Sequence, residues 1–233
     1  MGNKIVSLEG KTVLVTGASR GLGRATAEAF LLSGAHVLAL GRELKAMNET
    51  RISLTKIGSN FEMVIMDVRD ESTVTTYITA LSDLDVLVNN AGIARSRPFV
   101  ETPTQELRDI LEVNVVGAFV VMRESARKML ETGGGHIINI ASDAAIRGIA
   151  GMAPYAASKH ALLGLNRSVS QELRQRGIRL TTFCPGPITT DILGVGTANS
   201  KAMSPKELAK TIVHLAEVPP EIEIQELLAQ PMP

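Results

Sequence analysis

Tyr155 and Lys159 stand four residues apart in the run Tyr155-Ala156-Ala157-Ser158-Lys159. On a helix that spacing puts both side chains on one face, about a turn apart. A tyrosine with a pKa near ~10 is a poor acid–base group at neutral pH. An ammonium beside it stabilises the phenolate and lowers that value, so the pair is a candidate for proton transfer. Alone, the pattern is also that of an interfacial tyrosine with a snorkelling lysine. Two further residues accompany it. Ser142 follows the apolar run His136–Ile140. Asn114, a mediocre helix former, interrupts the apolar stretch Val113-Asn114-Val115-Val116-Gly117.

A second constellation lies near the start of the chain. Thr16-Gly17-Ala18-Ser19-Arg20-Gly21-Leu22-Gly23 follows a β-branched run and opens a helical pattern. Glycines permit a tight turn and close backbone approach, and a helix N-terminus presents unpaired N–H groups and partial positive charge to a pyrophosphate. At the end of the next strand the chain reads Leu38-Ala39-Leu40-Gly41-Arg42. An acidic residue there binds the ribose 2′-hydroxyl of NAD. Gly41 holds that place, followed by Arg42, and Arg20 sits inside the first loop. Two guanidinium groups with no carboxylate between them suit a 2′-phosphate. The bland alternative is a pair of solvated surface charges, and Glu43 beside Arg42 offsets part of its charge. The expected cofactor is NADP(H) in preference to NAD(H).

Together the TGxxxGxG and YxxxK motifs resemble the short-chain dehydrogenase/reductase family, in its single-domain subgroup, and the resemblance covers essentially the whole chain. It implies an NADP-dependent dehydrogenase or carbonyl reductase acting on a small carbonyl or secondary alcohol. By that resemblance Tyr155 is the general acid/base, and Ser142 donates a hydrogen bond to the substrate oxygen. Lys159 lowers the Tyr155 pKa and binds the nicotinamide ribose together with Tyr155. Asn114 distorts its helix locally and holds a water linked to the lysine. The cofactor contacts it implies are Gly17, Ser19, Arg20, Gly21, Leu22 and Gly23 of the first loop, with Arg42 on the phosphate. Asp67 accepts from the adenine amino group and Val68 packs nearby. Asn90, Ala91 and Gly92 of Asn89-Asn90-Ala91-Gly92 run along the cofactor. Pro185, Gly186, Ile188 and Thr190 of Pro185-Gly186-Pro187-Ile188-Thr189-Thr190 orient the carboxamide.

These residues need a scaffold that gathers strand ends. Apolar runs mark strands at Thr12–Thr16, Val37–Leu40, Met63–Met66, Val86–Asn89, His136–Ile140 and Arg179–Phe183, with a seventh near Ile222–Leu228. Helical patterns fall between them, about Gly21–Ser33, Glu43–Ile57, Ser72–Leu81, Thr104–Thr132, Met152–Arg176 and Pro205–Ala216. Continuous apolar strands imply burial on both faces, and strict alternation with helices implies a doubly wound Rossmann-type α/β fold. The expectation is about seven mostly parallel strands, helices on both faces, and one domain over residues 1–233. Ligands of such sheets bind at the carboxyl ends of the strands, where the polar and Gly-rich motifs sit.

Composition narrows the partners. Lys plus Arg is 24 and Asp plus Glu is 24, so there is no bulk pull toward nucleic acid or an anionic membrane. Hydrophobic residues are 45%, yet no apolar run is long enough to cross a bilayer. The single cysteine, Cys184, forms no internal disulfide, and the first residues lack an apolar signal core; a cytoplasmic protein is expected. Cys184 has no adjacent activating base and reads as a small buried residue. The histidines lack metal-ligand spacing, so no metal is expected. The apolar surfaces of the fourth and fifth helices point to a homo-dimer or homo-tetramer.

Residues 191–204 are expected to form a variable substrate lid, rich in Gly194, Gly196, Ala198, Asn199 and Ser200. Ala94, Ala144, Ile149, Met152, Ile192 and Leu193 are candidates for a small apolar pocket. Many members of the family end in a Gly-rich segment, whereas this chain ends Pro219-Pro220-Glu221-Ile222-Glu223-Ile224-Gln225-Glu226-Leu227-Leu228. That end looks like the branch acting on small hydroxy acids and carbonyls, and points away from acyl-carrier-protein reduction. The alternative function is a non-catalytic dinucleotide-sensing protein, which has no need of the Asn–Ser–Tyr–Lys set.

Overall fold

The computed structural model describes residues 6–189 and 202–232. The run Thr12–Thr16 is strand β1, buried along its whole length. Its side chains alternate: Val13 and Val15 enter one apolar cluster and Leu14 the other. The same division separates Val37 and Ala39 from Leu38 and Leu40 on β2 (His36–Gly41), and Val86 and Val88 from Leu87 on β4 (Val86–Asn89). A period of two with apolar residues on both faces requires helices on both sides. One face is covered by α1 (Gly21–Leu32), α2 (Leu44–Thr55) and α7 (Pro205–Glu217), through residues such as Phe30, Leu54 and Ile212. The other is covered by α3 (Glu71–Ala80), α5 (Ala118–Thr132) and α6 (Ala153–Leu173), through Ile78, Val121 and Leu173. Each fully buried side chain of this size contributes roughly 1.5–3 kcal/mol.

The remaining strands are β3 (Phe61–Ile65), β5 (Gly135–Ile140), β6 (Ile178–Pro185) and β7 (Glu226–Ala229). The sheet order is β3-β2-β1-β4-β5-β6-β7, and every pairing is parallel. This is the doubly wound Rossmann-type sheet expected, in a single domain. Strand order reverses between β1 and β4, so the crevice opens above their carboxyl ends. Thr16 closes β1 and Asn89 closes β4, which puts both glycine-bearing loops at that crevice.

Two elements differ from expectation. The helical stretch Thr104–Thr132 is three pieces: α4 (Thr104–Leu111), a π turn (Glu112–Gly117) and α5. The cause lies in Asn114 and is described below. The last strand is shorter and later than Ile222–Leu228. Arg179 Nη1 donates to the carbonyls of Val218, Pro219 and Ile222, at 2.7, 2.9 and 3.0 Å. Within the expected strand Ile222 O is thus taken by a guanidinium and Ile224 O by the Thr181 hydroxyl, and ladder pairing starts only at Thr182 with Glu226. Among the described residues, no helix is long and apolar enough to cross a membrane.

Candidate active site

The loop from β1 to α1 is built for close approach. Gly17 has φ +66°, and a Cβ there would stand 2.9 Å from Ala91 Cα. A Cβ on Gly23 would stand 2.2 Å from the Gly17 carbonyl oxygen. Neither place accepts a side chain without moving backbone. Arg20 is the extended residue before α1, its side chain makes no cap, and the first turn carries no acid. The leading N–H groups of α1 therefore face the crevice, an anion-binding arrangement. The loop is braced from outside by α2: Thr50 Oγ1 donates to Ala18 O at 3.0 Å and accepts from Arg24 Nε at 2.9 Å.

The second loop is locked onto the first. Thr16 Oγ1 accepts from the N–H groups of Asn90 and Ala91, each at 2.9 Å, and Asn90 Nδ2 donates to Thr16 O at 2.9 Å. Beneath it runs a buried amide ladder: Asn89 Nδ2 donates to Asn139 Oδ1 at 3.1 Å, and Asn139 Nδ2 to Asn166 Oδ1 at 2.8 Å. Asn89 Nδ2 also reaches Ala118 O, a carbonyl at the start of α5, at 2.9 Å.

The π turn places Asn114 under this loop. Its Oδ1 accepts from Ile93 N at 2.8 Å, while Nδ2 donates to Ile93 O at 2.9 Å and Ser158 Oγ at 3.0 Å. An amide satisfied on both ends offsets the poorer backbone geometry of a π turn. Ser158 Oγ in turn donates to Tyr155 O at 2.7 Å, so the α4–α5 distortion and the first turns of α6 are one hydrogen-bonded unit.

Tyr155 and Lys159 lie on the inner face of α6, both buried. Burial pushes the Tyr155 hydroxyl up to about 12; the neighbouring Ser142 hydroxyl opposes the rise and the Asp143 carboxylate adds to it. Burial brings the Lys159 ammonium down to about 8. Lys159 Nζ donates to Ile140 O at 2.8 Å and sits 5.7 Å from the Tyr155 ring centroid. Ser142 Oγ accepts from Ala144 N at 3.1 Å and donates to Asp143 Oδ1 at 3.0 Å.

One cavity of about 710 Å³ gathers these pieces. It is lined by Gly17, Ser19, Arg20, Gly21, Leu22, Gly23, Arg42, Asp67, Val68, Asn90, Ala91, Gly92, Ser142, Tyr155, Lys159, Pro185, Gly186 and Ile188. Asn114 is behind the wall rather than in it, and Thr190 lies outside the described residues, as do residues 191–201 of the expected lid. Of the expected pocket residues, Ala94, Ile149 and Met152 line the cavity; Ala144 is fully buried behind them, because it packs within the 3-10 turn Asp143–Ala145. Ile192 and Leu193 fall outside the described residues. Cys184 is buried, and burial pushes its thiol up, away from a nucleophile's range.

Just beyond β3, Asp67 is gripped by Arg69 through Nε at 3.0 Å and Nη2 at 2.6 Å. Those bonds hold its carboxyl down at about 2. Arg42 turns toward the same carboxylate, Nη1 to Oδ2 at 3.6 Å, rather than toward Glu43. A Cβ on Gly41 would stand 2.5 Å from Met47 Sδ, so a side chain there needs the flexible methionine to move. The residues present fit a phosphorylated dinucleotide: a glycine-rich loop, an uncapped helix start, and two arginines lining the same cavity. Sequence reasoning did not find the bracing residues Thr50 and Arg24, nor Asp143 and Arg147, which also line the cavity. No spacing signal marks them.

Comparison with known proteins places this geometry. Residues 11–201 match the family model described as short chain dehydrogenase. The 3-oxoacyl-acyl-carrier-protein reductase FabG of Vibrio cholerae is 34% identical over 218 residues, covering 92% of this chain and 84% of that protein. The same reductase of Escherichia coli is 34% identical over 191 residues, covering 80% and 77%. Among solved structures, a candidate gluconate dehydrogenase of Agrobacterium tumefaciens superimposes with a TM-score of 0.90 at 32% identity, covering 97% of this chain and 96% of that one. A candidate NAD(P)-dependent gluconate 5-dehydrogenase of Beutenbergia cavernae, with NADP bound at low occupancy, gives 0.89 at 32%, covering 95% and 96%. Similarity runs to acyl-carrier-protein reductases as well as to hydroxy-acid enzymes, so the proline-containing end of the chain does not separate the two.

Proposed function

The chain belongs to the short-chain dehydrogenase family, and we propose that it is an NADP(H)-dependent oxidoreductase moving hydride between nicotinamide and a carbonyl or secondary alcohol, with Tyr155 as the general acid/base. The observation that carries this reading is that Tyr155 and Ser142 line the same cavity as Arg20, Arg42 and the first residues of α1. Its two ends match the two ends of the chemistry.

Gly17 to Gly23, Arg20 and Arg42 would hold the pyrophosphate and 2′-phosphate; Asp67 and Val68 the adenine; Asn90 to Gly92, Tyr155 and Lys159 the nicotinamide half. Pro185, Gly186, Ile188 and Thr190 would orient its ring. The bound nicotinamide supplies or accepts the hydride. Tyr155, kept neutral by burial, gives a proton to the substrate oxygen in the reductive direction. Ser142 turns its hydroxyl from Asp143 to that oxygen and stabilises the developing charge. Lys159, with its ammonium near neutrality, adjusts the electrostatics around the phenol and restores its proton. Asn114 holds the α4–α6 junction on which these positions depend. A homo-oligomer is part of the reading, supported by exposed Val116 and Phe119 at the π turn and the start of α5. Residues 191–204 are the proposed lid.

The test is NADPH oxidation by the purified protein against ketones, aldehydes and oxoacids, repeated with Tyr155→Phe. Turnover that collapses in the variant, with NADPH binding retained, supports the reading. NADPH binding with no turnover on any carbonyl compound would favour the dinucleotide-sensing alternative.

A further inference from the structure

We propose that Arg147, braced by Asp143, is the anchor for a carboxylate on the substrate, so that the enzyme acts on small oxoacids or hydroxy acids. This rests on the reductase reading above and narrows its substrate.

Asp143 follows Ser142 directly and its side chain is 4% exposed, whereas that of Arg147 is 56% exposed. Both line the cavity. Arg147 contacts Asp143 Oδ2 through Nε at 3.0 Å and through Nη2. Gln230, beyond β7, adds a bond from Nε2 to the same oxygen at 3.3 Å, and the Ser142 hydroxyl occupies Oδ1 at 3.0 Å. The carboxylate is thus fully engaged. The guanidinium is not: a planar fork of five N–H donors bound along its Nε–Nη2 edge leaves the Nη1 end without a partner among the described residues. A fork already fixed in place loses less side-chain entropy when it takes up a carboxylate, and it does so with matched bidentate geometry.

Position supplies the rest. The other cavity arginines, Arg20 and Arg42, belong to the dinucleotide end, and Lys159 is assigned above to the nicotinamide half. Arg147 is therefore the cation of the substrate end among the described lining residues. It is linked to Ser142, the group that would hold the reacting oxygen, through one carboxylate. The neighbouring wall of Ala94, Ile149 and Met152 is apolar. An anion at Arg147, a short hydrocarbon stretch along that wall and a carbonyl at Ser142 and Tyr155 describe a small oxoacid. Because Asp143 neutralises the fork's net charge, recognition is a short-range contact rather than long-range attraction.

The experiment compares pyruvate, acetoacetate and levulinate with their methyl esters, reading kcat/KM for NADPH oxidation in the wild type, Arg147→Gln and Arg147→Lys. At least one acid should exceed its ester in the wild type. That acid-to-ester ratio should fall about 10- to 100-fold in Arg147→Gln, mainly through KM, and less in Arg147→Lys, which keeps the charge but not the fork. Esters preferred to acids in the wild type, or a ratio unmoved by Arg147→Gln, would overturn the anchor while leaving the reductase reading intact. If no acid or ester is turned over, calorimetry of levulinate binding to the protein–NADP⁺ complex decides. Binding that disappears in Arg147→Gln sustains the anchor without the reaction, and no binding to the wild type rejects it.

Discussion

The side-chain amide of Asn114 clasps both backbone groups of Ile93, accepting from its N–H at 2.8 Å and donating to its C=O at 2.9 Å. Ile93 directly follows the Gly92 backbone that lines the cavity. A single residue thereby couples the π turn between α4 and α5 to the loop after β4.

Asn114→Ala leaves the half-buried N–H and carbonyl of Ile93 without that partner. Each such loss costs about 1–3 kcal/mol. Chemical denaturation should show a loss in that range, with a fall in kcat as the α4–α6 junction relaxes. Asn114→Asp keeps the acceptor for Ile93 N–H but turns an oxygen toward Ile93 O, so it should destabilise at least as much. Wild-type stability in both variants would show that the clasp carries no weight.

Arg42→Ala should weaken NADPH binding and leave NADH binding close to the wild-type value, since only the 2′-phosphate contact is removed. A charged contact of this kind is worth about 1.5–3 kcal/mol, or roughly tenfold to a hundredfold in Kd. Fluorescence titration with both nucleotides measures this. Equal weakening of both would place Arg42 outside phosphate recognition and refer its effect to Asp67, 3.6 Å away.

His136 gives a stability prediction away from the active site. Thr181 Oγ1 donates to Ile224 O at 2.6 Å, so the His136 Nε2–H must donate to Thr181 Oγ1, at 2.8 Å. That leaves Nδ1 unprotonated and, among the described residues, without a partner. Burial pulls the imidazole down to about 3, from an ordinary 6.5. Between those values the unfolded chain holds a proton that the folded chain does not, so stability falls as pH drops below 6.5. The slope is roughly 1.4 kcal/mol per pH unit. His136→Gln should lose less stability than the wild type between neutral pH and mild acid, whatever its stability at neutrality. Parallel acid limbs for the two proteins would contradict this.

Much of the fold and the site was readable because local pattern and tertiary role agree. Val13, Leu14 and Val15 announce a strand buried on both faces, and the glycines after Thr16 sit where backbone approaches within contact of Ala91. Asn114 was conspicuous as a polar break in an apolar helix, and its breaking of the helix takes the form of a π turn. Other features depend on contacts that spacing does not encode. An Asp and an Arg at i and i+4, as in Asp143 and Arg147, are usually a solvated pair; only the structure shows that the carboxylate is buried beside Ser142. The late start of β7 goes with Arg179 and Thr181 side chains taking the Ile222 and Ile224 carbonyls. The bond from Lys159 to Ile140 O is another contact that spacing does not encode.

The central claim is hydride transfer with Tyr155 as proton donor, and isotope transfer tests it most directly. The protein is incubated with NADPH deuterated at C4 of the nicotinamide, each face labelled in turn, and with the panel of ketones and oxoacids. The products are analysed by mass spectrometry for label at the carbinol carbon. The account predicts label from one face only, delivered about 100- to 10,000-fold more slowly by Tyr155→Phe. Unlabelled products from both nucleotides, or a Tyr155→Phe variant that transfers label at the wild-type rate, would contradict it.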